Sequence, residues 1–339
     1  MRISTPRFIY IAALALCGLS MLPAASFGQQ PKPQTTPTPQ AQQPQDDKPD
    51  VVYIRRVRLP ITVQDKNKQF VSGLTREDFI ILEDKRPQQI ETFTDEKETQ
   101  PLYVGVLMDT SPSTAGKLKF EQESAMNFIQ TVITTRKDQV LFATFDDQVT
   151  LRQDFTNKLD LLDRAVYGVK KPGKQTSLYD AIWQFCDEKM RTVPGRRVLV
   201  LITDGEDTYS RADLADAIDI AQRTETTVFA ISTKAGFSGV VPGVEAGTVE
   251  TKVDRDLVKL CEETGGTAFF TGDILALERS FTKISKELRT QYIVTYKPSN
   301  DRYDGSFRKI EVRLAGNRSG LKIRTRNGYR AVADSVTPK

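Results

Sequence analysis

The sequence YVGVLMDTSPS, residues 103–113, joins a buried strand to a set of oxygen donors. Tyr103–Met108 has the length and bulk of a strand that is buried on both faces. Asp109, Ser111 and Ser113 follow at alternate positions, just past the carboxyl end of that strand, where ligands bind in open α/β sheets. Because these side chains offer oxygen and no His or Cys lies nearby, they suit a hard cation rather than zinc.

Two later stretches supply further oxygen donors. Thr176 opens a helical pattern in KQTSLYD, residues 174–180, and Asp204-Gly205 follows a second apolar run, Val198–Thr203. D-x-S-x-S after a strand, a later Thr and a later Asp-Gly resemble the metal-ion-dependent adhesion site of the von Willebrand factor A (VWA) domain family. Taken alone, D-x-S-x-S has a helix N-cap as its alternative interpretation.

The resemblance implies a role for each of five residues. Ser111, Ser113 and Thr176 would coordinate the metal directly, whereas Asp109 and Asp204 would act mostly through bound water. Mg²⁺ is the expected cation, with Mn²⁺ and Ca²⁺ as alternatives.

The periodicity around these motifs predicts the fold class. From Pro101 onward, apolar runs alternate with helical patterns, which indicates a doubly wound, mostly parallel α/β sheet with helices on both faces. Val149–Arg152 is predicted to form an antiparallel edge hairpin. The order is the one that the resemblance to VWA domains implies, and it covers residues 101–289.

The flanking segments, residues 51–98 and 291–331, are predicted to be β structure. Val57–Val63 alternates as a half-buried strand does, and Pro60 favours an edge position for it. Because each segment is too small for a core of its own, we expect the two to pair into one β-sandwich-like domain with the VWA domain inserted in it. The alternative is that Gln291–Tyr296 extends the VWA sheet.

Both flanks also resemble a large family of secreted bacterial VWFA-related proteins described from acidobacteria. The matching stretches are VSGLTREDFIILEDKRPQQIETF (residues 71–93), QYIVTYKP (291–298), FRKIEVRL (307–314) and RNGYR (326–330). In the first of them, Phe79–Leu82 and Gln89–Phe93 are predicted as strands joined through Asp84–Pro87. The integrin β subunit, by resemblance, inserts its metal-binding domain in a sandwich in the same way, which implies that the metal site influences the angle between the domains.

The N-terminus has the pattern of a secretory signal peptide. Arg2 and Arg7 precede the apolar run Phe8–Leu22, and small residues up to Gly28 predict cleavage after residue 28. An uncleaved membrane anchor is the alternative, although the run is shorter than the ~20 residues of a spanning helix. Residues 29–50, rich in Pro, Gln and Thr, are predicted to be a disordered linker. We therefore expect an exported protein, periplasmic or secreted.

Composition excludes several functional classes. The chain has no His, which removes Ser-His-Asp and Cys-His catalysis and the usual zinc sites. A net charge of +4 with dispersed Lys and Arg does not indicate nucleic-acid binding. No Gly-rich phosphate loop follows the first strand, so no nucleotide is expected. Cys186 and Cys261 are predicted to pack within helices, with a disulfide between them as the alternative.

The donor set predicts binding rather than catalysis. Two hydroxyls and few direct carboxylates leave a metal under-neutralised, so it retains affinity for an anionic oxygen supplied from outside. We expect a metal-dependent protein-binding or adhesion module that is not an enzyme and whose partner presents an acidic side chain. The alternatives are a metal-dependent hydrolase, with Asp204 or Glu206 as base, and a purely structural envelope protein.

Two loops are predicted to contact the partner. A long loop inside a compact domain is usually functional or disordered, and Thr233–Val253 is such a loop. A basic loop precedes Thr176, and it would steer an acidic partner toward the metal; a solvated basic loop is its alternative interpretation. The predicted contact residues are Lys170, Lys171, Lys174, Gly236, Gly239 and Gly243.

Overall fold

A computed structural model describes residues 56–95, 100–112, 118–170, 173–233, 252–270, 274–316, 318 and 320–332. The predicted signal peptide and linker, residues 1–50, lie outside these ranges. Within them, none of the helices has both the length and the apolar character needed to cross a membrane.

The described residues form three sheets and six α-helices. In chain order the strands are β1 (Val57–Gln64), β2 (Phe79–Glu83), β3 (Arg86–Gln88), β4 (Ile90–Thr94), β5 (Leu102–Asp109), β6 (Gln139–Phe145), β7 (Val149–Thr156), β8 (Arg196–Thr203), β9 (Thr226–Ser232), β10 (Ala268–Phe270), β11 (Tyr292–Tyr296), β12 (Phe307–Leu314), β13 (Lys322–Arg324) and β14 (Gly328–Arg330). The helices are α1 (Leu118–Val132), α2 (Leu159–Tyr167), α3 (Leu178–Glu188), α4 (Leu214–Arg223), α5 (Lys252–Thr264) and α6 (Ile274–Thr290).

The central sheet has the order β10-β9-β8-β5-β6-β7. All neighbouring strands are parallel except β7, which pairs antiparallel with β6 as the predicted edge hairpin does. Strand β5 lies in the middle, and its apolar side chains are buried on both faces. Helices α1, α2 and α6 cover one face and α3, α4 and α5 the other, each over its own hydrophobic core. The predicted doubly wound α/β class is confirmed.

The flanking segments form two four-stranded sheets, ordered β13-β1-β11-β4 and β14-β12-β2-β3. Strand β11 pairs antiparallel with β1 and β4, so the tail joins the N-terminal segment instead of extending the central sheet. The apolar faces of the two sheets share one core. Within it, the buried carboxylate of Glu83 accepts hydrogen bonds from the hydroxyls of Tyr296, at 2.7 Å, and Tyr329, at 3.0 Å.

Two details of this β-sandwich differ from the sequence predictions. The turn after β2 consists of Asp84 and Lys85 alone, both with positive φ, and it leads into β3; the chain then crosses to the other sheet as β4. The predicted strands Phe79–Leu82 and Gln89–Phe93 correspond to β2 and β4, but β3, which overlaps the predicted connection Asp84–Pro87, was not predicted. Strand β1 is also interior to its sheet, but Pro60 lies in the half that pairs with β11 alone, and β13 pairs only with residues 62–64. Pro60 has no backbone N–H to donate, but no hydrogen bond to β13 is lost, because β13 does not pair with this residue.

Buried ion pairs join the β-sandwich to the central domain. Glu225, which follows α4, accepts a hydrogen bond from the backbone N–H of Arg58 at 3.0 Å and pairs with Arg326 at 3.2 Å. Glu287 of α6 pairs with Arg324 and also accepts from the hydroxyl of Thr62. The central domain, which is inserted between the two segments of the β-sandwich, is therefore held to it by charged contacts as well as by the chain connections.

Cys186 and Cys261 are buried and free, so the alternative of a disulfide between them is excluded. Burial raises the pKa of the Cys186 thiol to about 12 and that of Cys261 further. Both behave as small apolar side chains of the core beneath α3 and α5, as the sequence predicts.

Candidate metal centre

Asp109 ends β5 at the centre of the rim where the parallel strands have their carboxyl ends. Its side chain is fully buried and is held by protein donors on both oxygens. The backbone N–H of Ser111 donates to Oδ1 at 2.8 Å, and the hydroxyl of Thr203, at the end of β8, donates to Oδ2 at 2.6 Å. The hydroxyl of Ser111 also forms a hydrogen bond with this carboxylate.

Asp204 follows β8 directly and lies beside Asp109. Burial raises the pKa of Asp109 to about 6, and the negative charge of Asp204 raises it as well, against hydrogen bonds from Thr203 and Ser111 that lower it. The Asp204 carboxylate is itself nearly buried and accepts from the backbone N–H of Glu206 at 3.2 Å. Two neighbouring buried carboxylates are electrostatically unfavourable unless a positive charge is supplied.

Thr176 is buried on the neighbouring loop, just before α3. Its backbone N–H donates to the hydroxyl of Thr208, and its carbonyl accepts from the N–H groups of Thr208 and Tyr209, which belong to the loop after Asp204. The same loop is tied to the β5 end, since the N–H of Gly173 donates to the carbonyl of Thr110 at 2.7 Å. Backbone hydrogen bonds therefore connect all three motif loops.

The donor chemistry fits a hard divalent cation. Buried carboxylate and hydroxyl oxygens of Asp109, Ser111, Thr176 and Asp204 lie on connected loops of one rim. The described residues contain no group of three or more His, Cys, Asp or Glu side chains that could hold a metal. A site on this rim would therefore combine hydroxyls with two acids, which leaves room for water or an outside anion in the coordination shell of Mg²⁺.

A family model for the von Willebrand factor type A domain matches residues 104–283, more than half of the chain. The chain belongs to the VWA domain family. Domains of this family typically mediate protein–protein interaction or adhesion. Among the curated proteins, none matches the sequence significantly.

Several solved structures are similar to part of this chain. An aerotolerance-related membrane protein from Bacteroides fragilis shares 16% identity over 55% of this chain and 98% of its own, with a TM-score of 0.43. The vWF domain of the type V pili tip protein Mfa5 from Porphyromonas gingivalis shares 12% identity over 56% and 96%, with a TM-score of 0.44. Proximal thread matrix protein 1 from the mussel byssus shares 15% identity over 61% and 51%, with a TM-score of 0.47.

Only part of the predicted partner surface lies within the described residues. Lys170 and Lys174 are exposed on the loop before Thr176. The backbone N–H of Lys174 donates to Asp147, and this bond with the lysine charge lowers the pKa of Asp147. The remaining predicted residues, Ser113 of the metal motif and Lys171, Gly236, Gly239 and Gly243 of the partner surface, lie outside the described residues.

Three rim residues of the VWA domain were not predicted from the sequence. Thr203 orients Asp109 across the sheet, and this contact depends on the β5–β8 register, which single-sequence patterns do not specify. Asp146 accepts from the hydroxyl of Thr110 at 2.8 Å and so braces the β5 end. Tyr209 leaves 55% of its surface exposed beside Thr176. In the sequence, only its position in the loop that follows Asp204-Gly205 could have indicated an aromatic residue on the rim.

Asp207 has a structural role at the rim. Its Oδ1 accepts from the backbone N–H of Leu178 at 2.8 Å and from the hydroxyl of Ser210 at 2.6 Å, so it caps the N-terminus of α3. The cap holds the loop after Asp204 against the loop that carries Thr176. Of the two acids that follow Asp-Gly, Glu206 is the exposed one.

Proposed function

We propose that the VWA domain binds a protein partner through a divalent cation on this rim. Ser111, Ser113 and Thr176 would hold the cation, and Asp109 and Asp204 would support it through water. The convergence of Asp109 and Asp204, both buried, with two buried hydroxyls on connected loops is the observation that supports the proposal. A cation in this set relieves the repulsion of the two acids and still attracts a further anionic oxygen, which an acidic side chain of the partner would supply.

Ser111→Ala is the sharpest test of the cation. Asp109 accepts from both the backbone N–H and the hydroxyl of Ser111, so this variant removes the hydroxyl with its bond to Asp109 and leaves the backbone bond in place. Ser285→Ala is the matched control, because Ser285 is also buried but bonds to the carbonyl of Thr131, at the end of α1 remote from the rim. Calorimetric titration with Mg²⁺ and Mn²⁺ should show binding by wild type and the control and little by Ser111→Ala. Equal affinity in all three proteins would refute the site.

The partner surface that we propose surrounds the cation. Exposed Tyr209 would contribute an aromatic contact, a residue type enriched in interfaces, and Lys170 and Lys174 would speed the approach of an acidic partner. The second wall, Thr233–Val253, lies largely outside the described residues. Export directed by residues 1–28 would present this surface in the periplasm or outside the cell.

A pull-down from envelope extract tests the partner. The protein should capture partners in Mg²⁺ and release them in EDTA, and Asp109→Ala should capture none. Tyr209→Ala should weaken capture while calorimetric Mg²⁺ affinity stays unchanged. Identical capture in Mg²⁺ and EDTA would contradict metal-dependent binding, whether or not the metal itself binds.

A further inference from the structure

A basic cleft lies where the β-sandwich meets helix α6, and it shares no lining residue with the metal rim. Its volume is about 590 Å³, within the range of small-molecule sites. One wall is the turn after β1 and the other is one face of α6. The lining residues that carry charge are Lys68, Glu278, Arg279, Lys283 and Lys286. Four cations therefore line the cleft against one carboxylate.

The turn after β1 is a defined structure that presents Lys68. Oδ1 of Asp65 accepts from the backbone N–H groups of Asn67 and Gln69, both at 2.8 Å, and the N–H of Lys68 donates to the carbonyl of Asp65 at 3.0 Å. Lys68 has φ of 60°, a left-handed conformation that costs a lysine more than a glycine. Position 68, which faces the cleft, therefore carries a charged side chain although glycine would adopt this backbone conformation at a lower cost.

The α6 wall is basic because of how the helix packs. Leu277, Phe281 and Ile284 are buried against the central sheet, which turns positions 279, 283 and 286 toward the cleft. These positions carry Arg279, Lys283 and Lys286. Their spacing of four and three residues places the cations along one helical stripe.

The lysines of the cleft are not engaged in ion pairs within the described residues. Among the residues that the structure describes, no carboxylate forms an ion pair with Lys68, Lys283 or Lys286. The acid next to Lys283 is Glu287, which is already engaged by Arg324. Burial lowers the pKa of Lys283, and the charges of Lys68 and Arg324 lower it too, against the opposing effect of Glu287. The Lys283 ammonium also lies over the Phe269 ring, 5.8 Å from its centroid, but this contact supplies no counter-charge. An anion in the cleft would supply one to all three lysines.

We propose that this cleft binds a ligand bearing phosphoryl groups, held between Lys68 of the β-sandwich and Lys283 and Lys286 of α6. A phosphoryl group carries close to two negative charges and three strong acceptor oxygens, so it matches several ammonium groups better than one carboxylate does. The cleft exceeds the size of a single phosphate, and Phe70 in its lining offers an apolar surface for the organic part of the ligand. This site is separate from the proposed metal centre.

Binding of inorganic pyrophosphate, followed by calorimetry in EDTA at low salt, tests the cleft without any metal. Vesicles of phosphatidylglycerol and phosphatidylcholine in equal parts test the same chemistry as a lipid headgroup, by co-sedimentation. Lys68→Gln with Lys283→Gln should weaken binding of whichever probe binds roughly tenfold or more, because a hydrogen bond to a charged group is lost at each position.

The matched control is Lys85→Gln with Lys259→Gln. Lys85 also lies in a left-handed turn, with φ of 66°, and Lys259 is an exposed lysine of a helix, so the two double variants have the same net charge. The control should bind like wild type, and circular dichroism should show that both variants are folded. Pyrophosphate binding that only the cleft variant loses supports a soluble ligand, and vesicle binding lost in the same way supports a lipid. The proposal fails if neither probe binds, or if both double variants lose binding equally.

Discussion

Glu225→Gln tests whether buried charge holds the β-sandwich to the VWA domain. The carboxylate lies between Arg58 and Arg326, whose side chains are 18% and 4% exposed, and is itself 16% exposed. Glutamine keeps an oxygen for the backbone N–H of Arg58, but its amide nitrogen replaces the other oxygen and meets donors instead of accepting from them. Both guanidinium groups would lose their counter-charge.

The expected cost follows from this burial. Removing one member of a buried ion pair costs about 3–5 kcal/mol, and partial exposure of Glu225 and Arg58 lowers the expectation to about 2–4 kcal/mol. Asp160→Asn is the control, because Asp160 pairs with Arg164 at 2.9 Å on the exposed surface of α2, where such pairs contribute less than about 1 kcal/mol. Urea unfolding at pH 7, followed by circular dichroism and by fluorescence of Trp183, the only tryptophan, gives both values.

The pH dependence supplies an independent check. Burial raises the pKa of Glu225, but Arg326 and Arg58 lower it more, so the net shift is below 4.5, the ordinary value. A lowered pKa means that the stabilisation is present above the ordinary pKa and is lost as pH falls through the lowered one. The difference in free energy of unfolding between wild type and Glu225→Gln should therefore have its full value at pH 7 and decrease below about pH 4. A cost no larger than that of Asp160→Asn, or one that persists unchanged in acid, would refute the reasoning.

Two further substitutions test the β-sandwich core and the rim. Tyr296→Phe removes the buried hydroxyl that donates to Glu83 and should lower the free energy of unfolding by about 1–2 kcal/mol. Replacement of the exposed Tyr167 by Phe should change it little. Equal values for the two variants would contradict a stabilising role for the hydrogen bonds to Glu83. Gly173→Ala would place a methyl group 2.3 Å from Cβ of Asp146, so the loop that carries Thr176 must shift. Calorimetry should then show Mg²⁺ affinity weaker by roughly tenfold, given a strain of about 1–3 kcal/mol, and unchanged affinity would show that the loop does not help to hold the cation.

The architecture was predictable wherever burial leaves a regular pattern. Strands of the central sheet are apolar on both faces, and the apolar runs Tyr103–Met108 and Val198–Thr203 lie within β5 and β8 of the structure. Pairing of the flanking segments followed from a size argument. The connection after β2 was predicted, but strand β3 was missed, because the two-residue turn Asp84-Lys85 adopts positive φ without glycine or asparagine, the residues that normally signal such a turn.

The rim was predictable in part for a topological reason. Parallel strands present their carboxyl ends together, so Asp109 after β5 and Asp204 after β8 had to lie near one another. The contacts that orient them were not predictable, because the bond from Thr203 depends on strand register. The basic cleft could not be predicted from the sequence for a similar reason. Lys68 and Lys283 become neighbours only because the tail strand β11 brings α6 beside the turn after β1.

The connection between α6 and the β-sandwich bears on how the two domains could communicate. Only Gln291 separates α6 from β11, and this buried residue bonds to Thr62 through its amide nitrogen and to Arg196 through its oxygen. One turn earlier in α6, Glu287 is paired with Arg324 of the same β-sandwich. A change of angle between the domains, as the integrin β resemblance implies, would have to break buried polar bonds at both points. A cation or partner can drive such a change only by binding the altered arrangement more tightly by at least that free energy. The insertion therefore favours a β-sandwich that supports the rim in a fixed position, and this predicts that partner specificity depends on the rim loops more than on domain rotation.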